Sequence, residues 1–340
     1  MQTKVLDSVR DFAVFFSRKL RISNPWNFKA PLLITFPYLL LLLSKYRQPS
    51  SFYAILASIS VIVGVAGLGY LSNDLGDRKK DALIGRDNVL IGMQPAIILF
   101  LFLLFFAFIF LPWLYLPFSS LSAIILGLEI VLFFVYALPP FRFKERGLLG
   151  VYTDSLYAHV LPAVLAAYTF HLFTGRIFEN FSDFIIIVFS WQFIQGERNI
   201  LFHQIKDLES DQKSGTRTFV GSIGLSRALK LVKKIVLPLE VLILLVFLVF
   251  MGFFWEQSLV LILTFIYFFV ALISRRKQLA DMDYRAMAYL FLDDFYIQWF
   301  PIFILAELCI HSLSFLPIAT LHLLVFNNGI KSMLRNKLNW

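Results

Sequence analysis

Residues 51–81 read SFYAILASISVIVGVAGLGYLSNDLGDRKKD, and the fold follows from the place where this stretch changes character. Residues 51–71 are apolar or small and carry no charge. That run approaches the ~20 residues a membrane-spanning helix needs. In lipid the backbone must satisfy its own hydrogen bonds, so a helix is the default. Then Asn73, Asp74, Asp77 and Asp81 follow within a few residues. On a helix these four fall near ~0°, ~100°, ~40° and ~80° and form one polar stripe. Arg78, Lys79 and Lys80 cover other directions.

The rest of the chain repeats this apolar character. Of its 340 residues 59% are apolar and only 16% charged, and 39 are Phe, far more than a soluble core of this size uses. Apolar segments fall near 30–44, 51–71, 89–111, 119–137, 151–172, 182–202, 232–252, 257–274, 292–311 and 313–326. The last is short and reads as a full span, a re-entrant piece or a continuation of the ninth. No polar linker separates domains, so residues 30–326 are expected to form one all-α polytopic bundle of nine to ten transmembrane helices. Residues 1–29 have Val5, Leu6, Val9, Phe12, Ala13, Phe16 and Leu20 at helical spacing among five cations, which predicts an interfacial amphipathic helix. They lack the continuous apolar core of a cleavable signal peptide, and Asp7 and Asp11 argue against a transit peptide. Residues 327–340 read as a polar tail. The single cysteine, Cys309, excludes a disulfide framework and any Cys-based metal site within the chain.

Placing the cations orients the bundle. With the N-terminus cytoplasmic, 27 Lys and Arg fall inside and only Lys45, Arg47 and Arg176 outside, with Arg198 within a span. This bias predicts an integral, multi-pass protein with both acidic stretches cytoplasmic, in the plasma membrane of a prokaryote. It also favours ten crossings over nine, since nine would put the C-terminal cations outside. The net charge of +9 is then a consequence of topology, and nothing in it calls for nucleic acid. No feature points to a protein partner.

A second acidic stretch, expected as a loop like the first, reads His203-Gln204-Ile205-Lys206-Asp207-Leu208-Glu209-Ser210-Asp211. His203, Asp207 and Asp211 repeat the spacing of Asn73, Asp77 and Asp81, with Gln204 where Asp74 stands. Glu209 points away. Each stretch ends a span on the same side and precedes two further spans, a weak internal repeat of the kind that meets at a shared central site. One acidic loop alone would read as a solvated surface feature. Two with matching period and side are expected to converge, and five converging acids would repel strongly without cations. Hard oxygen donors of this kind suit Mg²⁺, which is held by a few carboxylates together with substrate phosphate oxygens. A third element, Tyr136-Ala137-Leu138-Pro139-Pro140-Phe141-Arg142-Phe143-Lys144, closes span four on the same side. Its prolines end the helix, and Arg142 and Lys144 can reach back toward an anion, one as a fork and one as a point charge.

Together the three elements resemble the UbiA superfamily of intramembrane prenyltransferases. That family has NDxxDxxxD after its second helix, a tyrosine-to-lysine motif ending its fourth, and DxxxD after its sixth. Here Asn73-Asp74-x-x-Asp77-x-x-x-Asp81 is complete, and Asp207-x-x-x-Asp211 is followed by Gly215 and Thr218. The middle motif departs at Ala137, where the family often has Ser, and at Glu145, where a second basic residue is common. The resemblance covers about residues 20–275. It implies a helical bundle around a central cavity. It also implies Mg²⁺ on Asn73, Asp74, Asp77, Asp81, Asp207 and Asp211, and a polyprenyl diphosphate donor held through that ion. Tyr136, Arg142 and Lys144 would contact the diphosphate, with Asp77, Asp207, Asp211 and Lys144 central to catalysis. The acceptor would be lipophilic or aromatic, reached from within the membrane lipid.

Acceptor contacts are sought among ionisable groups inside spans, which are costly unless they face a cavity or a partner. Glu129, Asp154, His159, Glu197 and Arg198 lie there; Asp154, just past the third motif beside Tyr157, is the expected acceptor contact. His203 is expected in the substrate site as a base or a supporting group. Two rival readings share parts of this pattern. A phosphoribosyl transferase acting on polyprenyl phosphate would use the same acids. A transporter would use the repeat and the intramembrane charges, although transporters seldom place two aspartate ladders at one surface.

Overall fold

A computed structural model describes residues 23–175, 180–254, 259–274 and 288–326. Most of the expected N-terminal interfacial helix and the C-terminal tail lie outside those residues. Among the described residues all regular structure is helical. Helix α1 spans Ser23–Leu43, α2 Ser50–Ile84, α3 Pro95–Phe110 and α4 Ser120–Ala137. Helix α5 (Leu148–Ser155) passes through a π turn into α6 (Leu161–Thr174), and α7 spans Phe181–Lys206. Two short helices follow, α8 (Leu208–Ser214) and α9 (Phe219–Ile223). Helix α10 (Leu225–Leu231) runs through a π turn into α11 (Leu237–Phe254), and α12 (Leu259–Ser274), α13 (Phe300–His311) and α14 (Leu316–Val325) complete the bundle.

Five helical stretches among the described residues are long and apolar enough to cross a membrane: Ser50–Ile84, Pro95–Leu114, Ser120–Ala137, Leu148–Thr174 and Leu225–Phe253. Three shorter apolar helices accompany them, Lys29–Leu43, Leu259–Ile273 and Leu313–Val325. Helix α7 is long enough but more polar, carrying Gln192, Gln195, Glu197 and Arg198. Leu99, Leu103 and Phe265 point outward and are exposed, an apolar exterior that water would not tolerate over so large an area. The chain is an integral membrane protein.

Inside the bundle, small residues and aromatic rings set the spacing. A Cβ on Gly67 would lie 2.1 Å from the Phe105 ring, so α2 and α3 meet through glycine. Trp191 on α7 is fully buried and packs against Phe36 of α1, Phe247 of α11 and Tyr296, at ring distances of 5.9, 5.0 and 5.0 Å. Beside it Arg198, also fully buried, donates to Glu240 (2.6 and 3.1 Å) and to Asp293 (3.0 and 2.6 Å). This ion cluster joins α7 to α11 and to the stretch before α13, so Arg198 serves packing and not the cavity.

The expected acidic loops are corrected in one respect. The first is no loop: α2 continues unbroken through Asp81 to Ile84, with no proline along it, and ends at Gly85, which caps it at φ 68°. The second breaks at Asp207 and resumes as α8, with helical bonds retained across the break from Asp207 N–H to His203 and from Asp211 N–H to Asp207. Both end alike. Gly85 and Gly215 lie four residues past the last aspartate, and the next N–H donates to Asp81 or Asp211 at 2.9 and 2.8 Å. The alternation of buried and exposed positions from Asp81 to Gly92 recurs position for position from Asp211 to Ser222. The internal repeat is therefore present in three dimensions around both ladders.

Candidate functional site

Both ladders open on one polar mouth of about 140 Å³. Asn73, Asp74, Asp77 and Asp81 line it from α2, Tyr136 from the end of α4, Lys144 from the short turn Phe143–Glu145 beyond it, and His203, Asp207 and Asp211 from α7, α8 and their junction. The sequence-expected residues thus meet, apart from two. Arg142 reaches the site through Asp77, and Asp154 lies deeper. Below the mouth a larger cavity of about 400 Å³ runs down between α1, α2, α4 and α5. It shares Asn73, Arg86, Tyr136, His203 and Asp207 with the mouth, so the two are continuous. Its deeper wall is mainly apolar, with Val65, Phe133 and Pro162, and also carries Lys29, Asp154 and Tyr157. The Tyr157 hydroxyl donates to Asp154 at 2.6 Å.

Three of the acids in the mouth, Asp77, Asp81 and Asp207, have side-chain partners that fix their direction. Asp77 accepts from Arg142 Nη2 at 2.9 Å and from Lys144 Nζ, which also donates to Asn73 at 3.0 Å. Asp81 accepts from Asn88 Nδ2 at 2.8 Å, and the same group bonds the Asp74 carbonyl at 2.8 Å. Asp207 accepts from Arg86 at 2.9 Å. Gln204, standing where the first ladder has Asp74, accepts from the Val220 N–H at 3.0 Å and so braces α9. Glu209 points outward to Lys213, as its helical phase predicts. Asp211 is buried, and its pKa rises to about 6 because burial disfavours its charge and Asp207 repels it, against the pull of Arg86 and Lys144. Burial also pulls the Lys144 ammonium below its ordinary value, Asp77 restoring only part.

Two features place the third motif against the first. A Cβ on Gly76 would lie 2.3 Å from the Ala137 carbonyl oxygen, so only glycine lets α2 and the end of α4 come this close. Arg142 sits in the left-handed region at φ 43°, a costly conformation that its contacts over-determine. It donates to the Gly76 carbonyl at 2.7 Å and to Glu145 at 2.8 Å. Glu145 also accepts from Lys80 at 2.6 Å. The acid that departs from the common family pattern thus ties two cations at the rim.

Sequence reasoning gave no role in the site to four residues of this arrangement. Arg86 and Lys29 were counted only as topological cations, and Asn88 and Thr218 carry no charge to draw attention. The repeat could have found the last two. Asn88 and Thr218 stand at equal distance past Asp81 and Asp211, and each side chain accepts a backbone N–H, from Leu90 and Gly221.

Among the described residues no three acidic, histidine or cysteine side chains are already gathered tightly enough to cage an ion. Mg²⁺ does not ask for that, since it is normally held by one or two carboxylates with waters and substrate phosphates completing the shell. The all-oxygen donor set on two facing ladders fits such an ion.

The fold and site define an intramembrane helical protein with an acid- and cation-lined mouth above a largely apolar cavity. The chain matches the model of the UbiA prenyltransferase family over residues 32–296, and it belongs to that family. Among solved structures it is similar to a UbiA homolog from Archaeoglobus fulgidus bound to GPP and Mg²⁺, at 17% identity and a TM-score of 0.51, covering 92% of this chain and 99% of that one. The form of that homolog bound to Cd²⁺ aligns at 20% identity and a TM-score of 0.51, with the same coverage of 92% and 99%. At these identities the likeness speaks for the fold alone. None of the curated proteins matches the chain.

Proposed function

We propose that the protein is a Mg²⁺-dependent intramembrane prenyltransferase that moves a prenyl group from a polyprenyl diphosphate to a lipophilic or aromatic acceptor. The observation that carries this reading is the joining of two aspartate ladders and three cations at a single mouth continuous with a largely apolar cavity. The apolar segments support nine to ten crossings, and the charge bias supports a mouth on the cytoplasmic face of a prokaryotic plasma membrane.

The ladders, with Asn73, Asp74, Asp77 and Asp81 facing Asp207 and Asp211, would hold the ion. When bound, the ion supplies neutralisation of the charge that builds on the departing diphosphate. Arg142 and Lys144 turn from Asp77 to the diphosphate oxygens, Arg142 as a fork and Lys144 as a point charge. Tyr136 lies at the junction of mouth and cavity, where the allylic C–O bond would lengthen. Its ring stands 5.1 Å from that of Tyr157, and Phe133 lies 4.7 Å from Tyr157 on the same wall. These faces can stabilise an allylic cation while the apolar wall keeps water from it. Asp154, held by Tyr157, and His203 are the groups we assign to the acceptor side.

The test is lipid mass spectrometry of cells carrying the wild-type protein, Asp77→Ala or Asp207→Ala. One prenylated lipid class should be lost in both variants. An unchanged lipid profile in both, at normal protein levels, would overturn the reading.

A further inference from the structure

The large cavity does not end on hydrocarbon. Its lowest residues, Leu33, Ile62, Val65, Glu129 and Pro162, also line a second, smaller pocket of about 40 Å³. Glu129 stands at the boundary on α4, fully buried, and among the described residues neither of its carboxyl oxygens has a hydrogen-bond partner. Around the same small pocket the Thr169 hydroxyl and the Trp113 indole N–H are buried and equally unbonded. Three orphaned polar groups around one void are not a packing accident, since each buried polar group without a partner is destabilising. The void has room for about two to four waters at ~10–15 Å³ each, and it offers the polar partners such waters require.

Resting on the prenyltransferase reading above, we propose that Glu129, with Thr169 and Trp113, forms a polar, hydrated floor that sets the length of the donor chain. Tyr136 marks the level of the reacting carbon, and Glu129 lies two helical turns below it on the same helix. That separation is ~10 Å along the axis, enough for about eight extended chain bonds, or two isoprene units. A longer chain would have to press hydrocarbon onto the carboxyl and displace its waters without replacing their hydrogen bonds. Glu129 is therefore a specificity-determining residue: it accepts a ten-carbon chain and penalises a twenty-carbon one.

The test compares binding of geranyl diphosphate, geranylgeranyl diphosphate and inorganic pyrophosphate, all with Mg²⁺, to the detergent-solubilised full chain. Wild type, Glu129→Leu and Glu129→Gln are measured side by side, so micelle partitioning of the longer chain cancels. Leu removes the orphaned carboxyl from a buried site and should fold at least as well as wild type. Glu129→Leu should shift the Kd ratio toward the twenty-carbon donor by about tenfold or more. Glu129→Gln, which keeps a polar group of the same size, should retain the wild-type ratio. An unshifted ratio in Glu129→Leu, or an equal shift in Glu129→Gln, overturns the floor. Failure of all three probes to bind wild type would instead overturn the prenyltransferase reading, because pyrophosphate tests the mouth alone.

Discussion

Gly76→Ala adds one methyl group where α2 meets the end of α4, and its effect can be worked from the contact it would make. The new Cβ would stand 2.3 Å from the Ala137 carbonyl oxygen and 3.0 Å from its carbon. Non-bonded carbon contacts settle near ~3.5 Å, so the backbones must part by about 1 Å. Both partners are backbone, and no side chain can rotate away. Overpacking of this kind costs about 1–3 kcal/mol. The same movement stretches the bond from Arg142 to the Gly76 carbonyl, now 2.7 Å, beyond hydrogen-bond range. Arg142 would then lose its register on Asp77, the next residue. Melting of the solubilised protein should fall by several degrees, and pyrophosphate binding in the presence of Mg²⁺ should weaken about tenfold, which is ~1.4 kcal/mol. Gly127→Ala on α4 is the control, because a Cβ there meets nothing within 4 Å. That variant should melt at or above the wild-type temperature, since Ala is the better helix former by ~1 kcal/mol. Wild-type melting and binding in Gly76→Ala, or equal damage from Gly127→Ala, would refute the argument.

Arg198→Met leaves Glu240 and Asp293 without their cation in the bundle interior, and should destabilise by about 3–5 kcal/mol, read as a large loss of melting temperature. Replacing all three with apolar residues of similar size should recover most of that loss. Asp211, with its pKa raised to about 6, favours its neutral form in the folded, metal-free protein. Its favourable contribution is complete below the ordinary carboxyl value near ~4 and is lost as pH rises through about 6, so metal-free melting should fall across that window. Mg²⁺ binding needs the carboxylate, so its affinity should instead weaken by up to about tenfold per unit below pH 6; Asp211→Asn should abolish both trends. Because Arg142 and Lys144 occupy Asp77 in the ligand-free site, Mg²⁺ and pyrophosphate should bind with positive coupling, each lowering the other's Kd by the same factor in titrations run in either order. Independent binding would count against that exchange.

Much of this was legible from periodicity. The i, i+4, i+8 spacing in each ladder needs only a helix to place its acids on one side, and it holds even though α7 breaks at Asp207. The family resemblance is matched over 32–296, and of the ionisable residues that the sequence places inside spans, Glu129 and Asp154 line the cavity. What sequence could not supply is pairing across distant segments. Arg198 reads as an isolated intramembrane charge until Glu240 and Asp293 are brought beside it, 42 and 95 residues away. Lys29 counts as one more inner-face cation until α1 turns it into the cavity. Arg86 lies in a connection whose role depends on Asp207, 121 residues on. Such contacts are fixed by helix packing, and local pattern carries no record of them.

The pairings also explain how five acids can gather at one mouth. Asp77 is neutralised by Arg142 and Lys144, Asp207 by Arg86, and Asp81 is bonded by Asn88, so part of the acidic charge is compensated within the mouth. Asp211 differs, since burial and then the repulsion of Asp207 raise its pKa. On the proposed function the same cations must serve a second anion, because a diphosphate that enters with its ion takes over their pairing as the ion takes over the carboxylates. The cations that hold Asp77 and Asp207 then keep an anionic partner throughout, which matters where the surroundings screen poorly. Glu145 fits this logic. A second basic residue there would add to the pull on the diphosphate; an acid instead holds Arg142 and Lys80 in place while the site is vacant. The departure at Glu145 thus shifts the site from stronger attraction toward fixed geometry, the property that Gly76→Ala is designed to disturb.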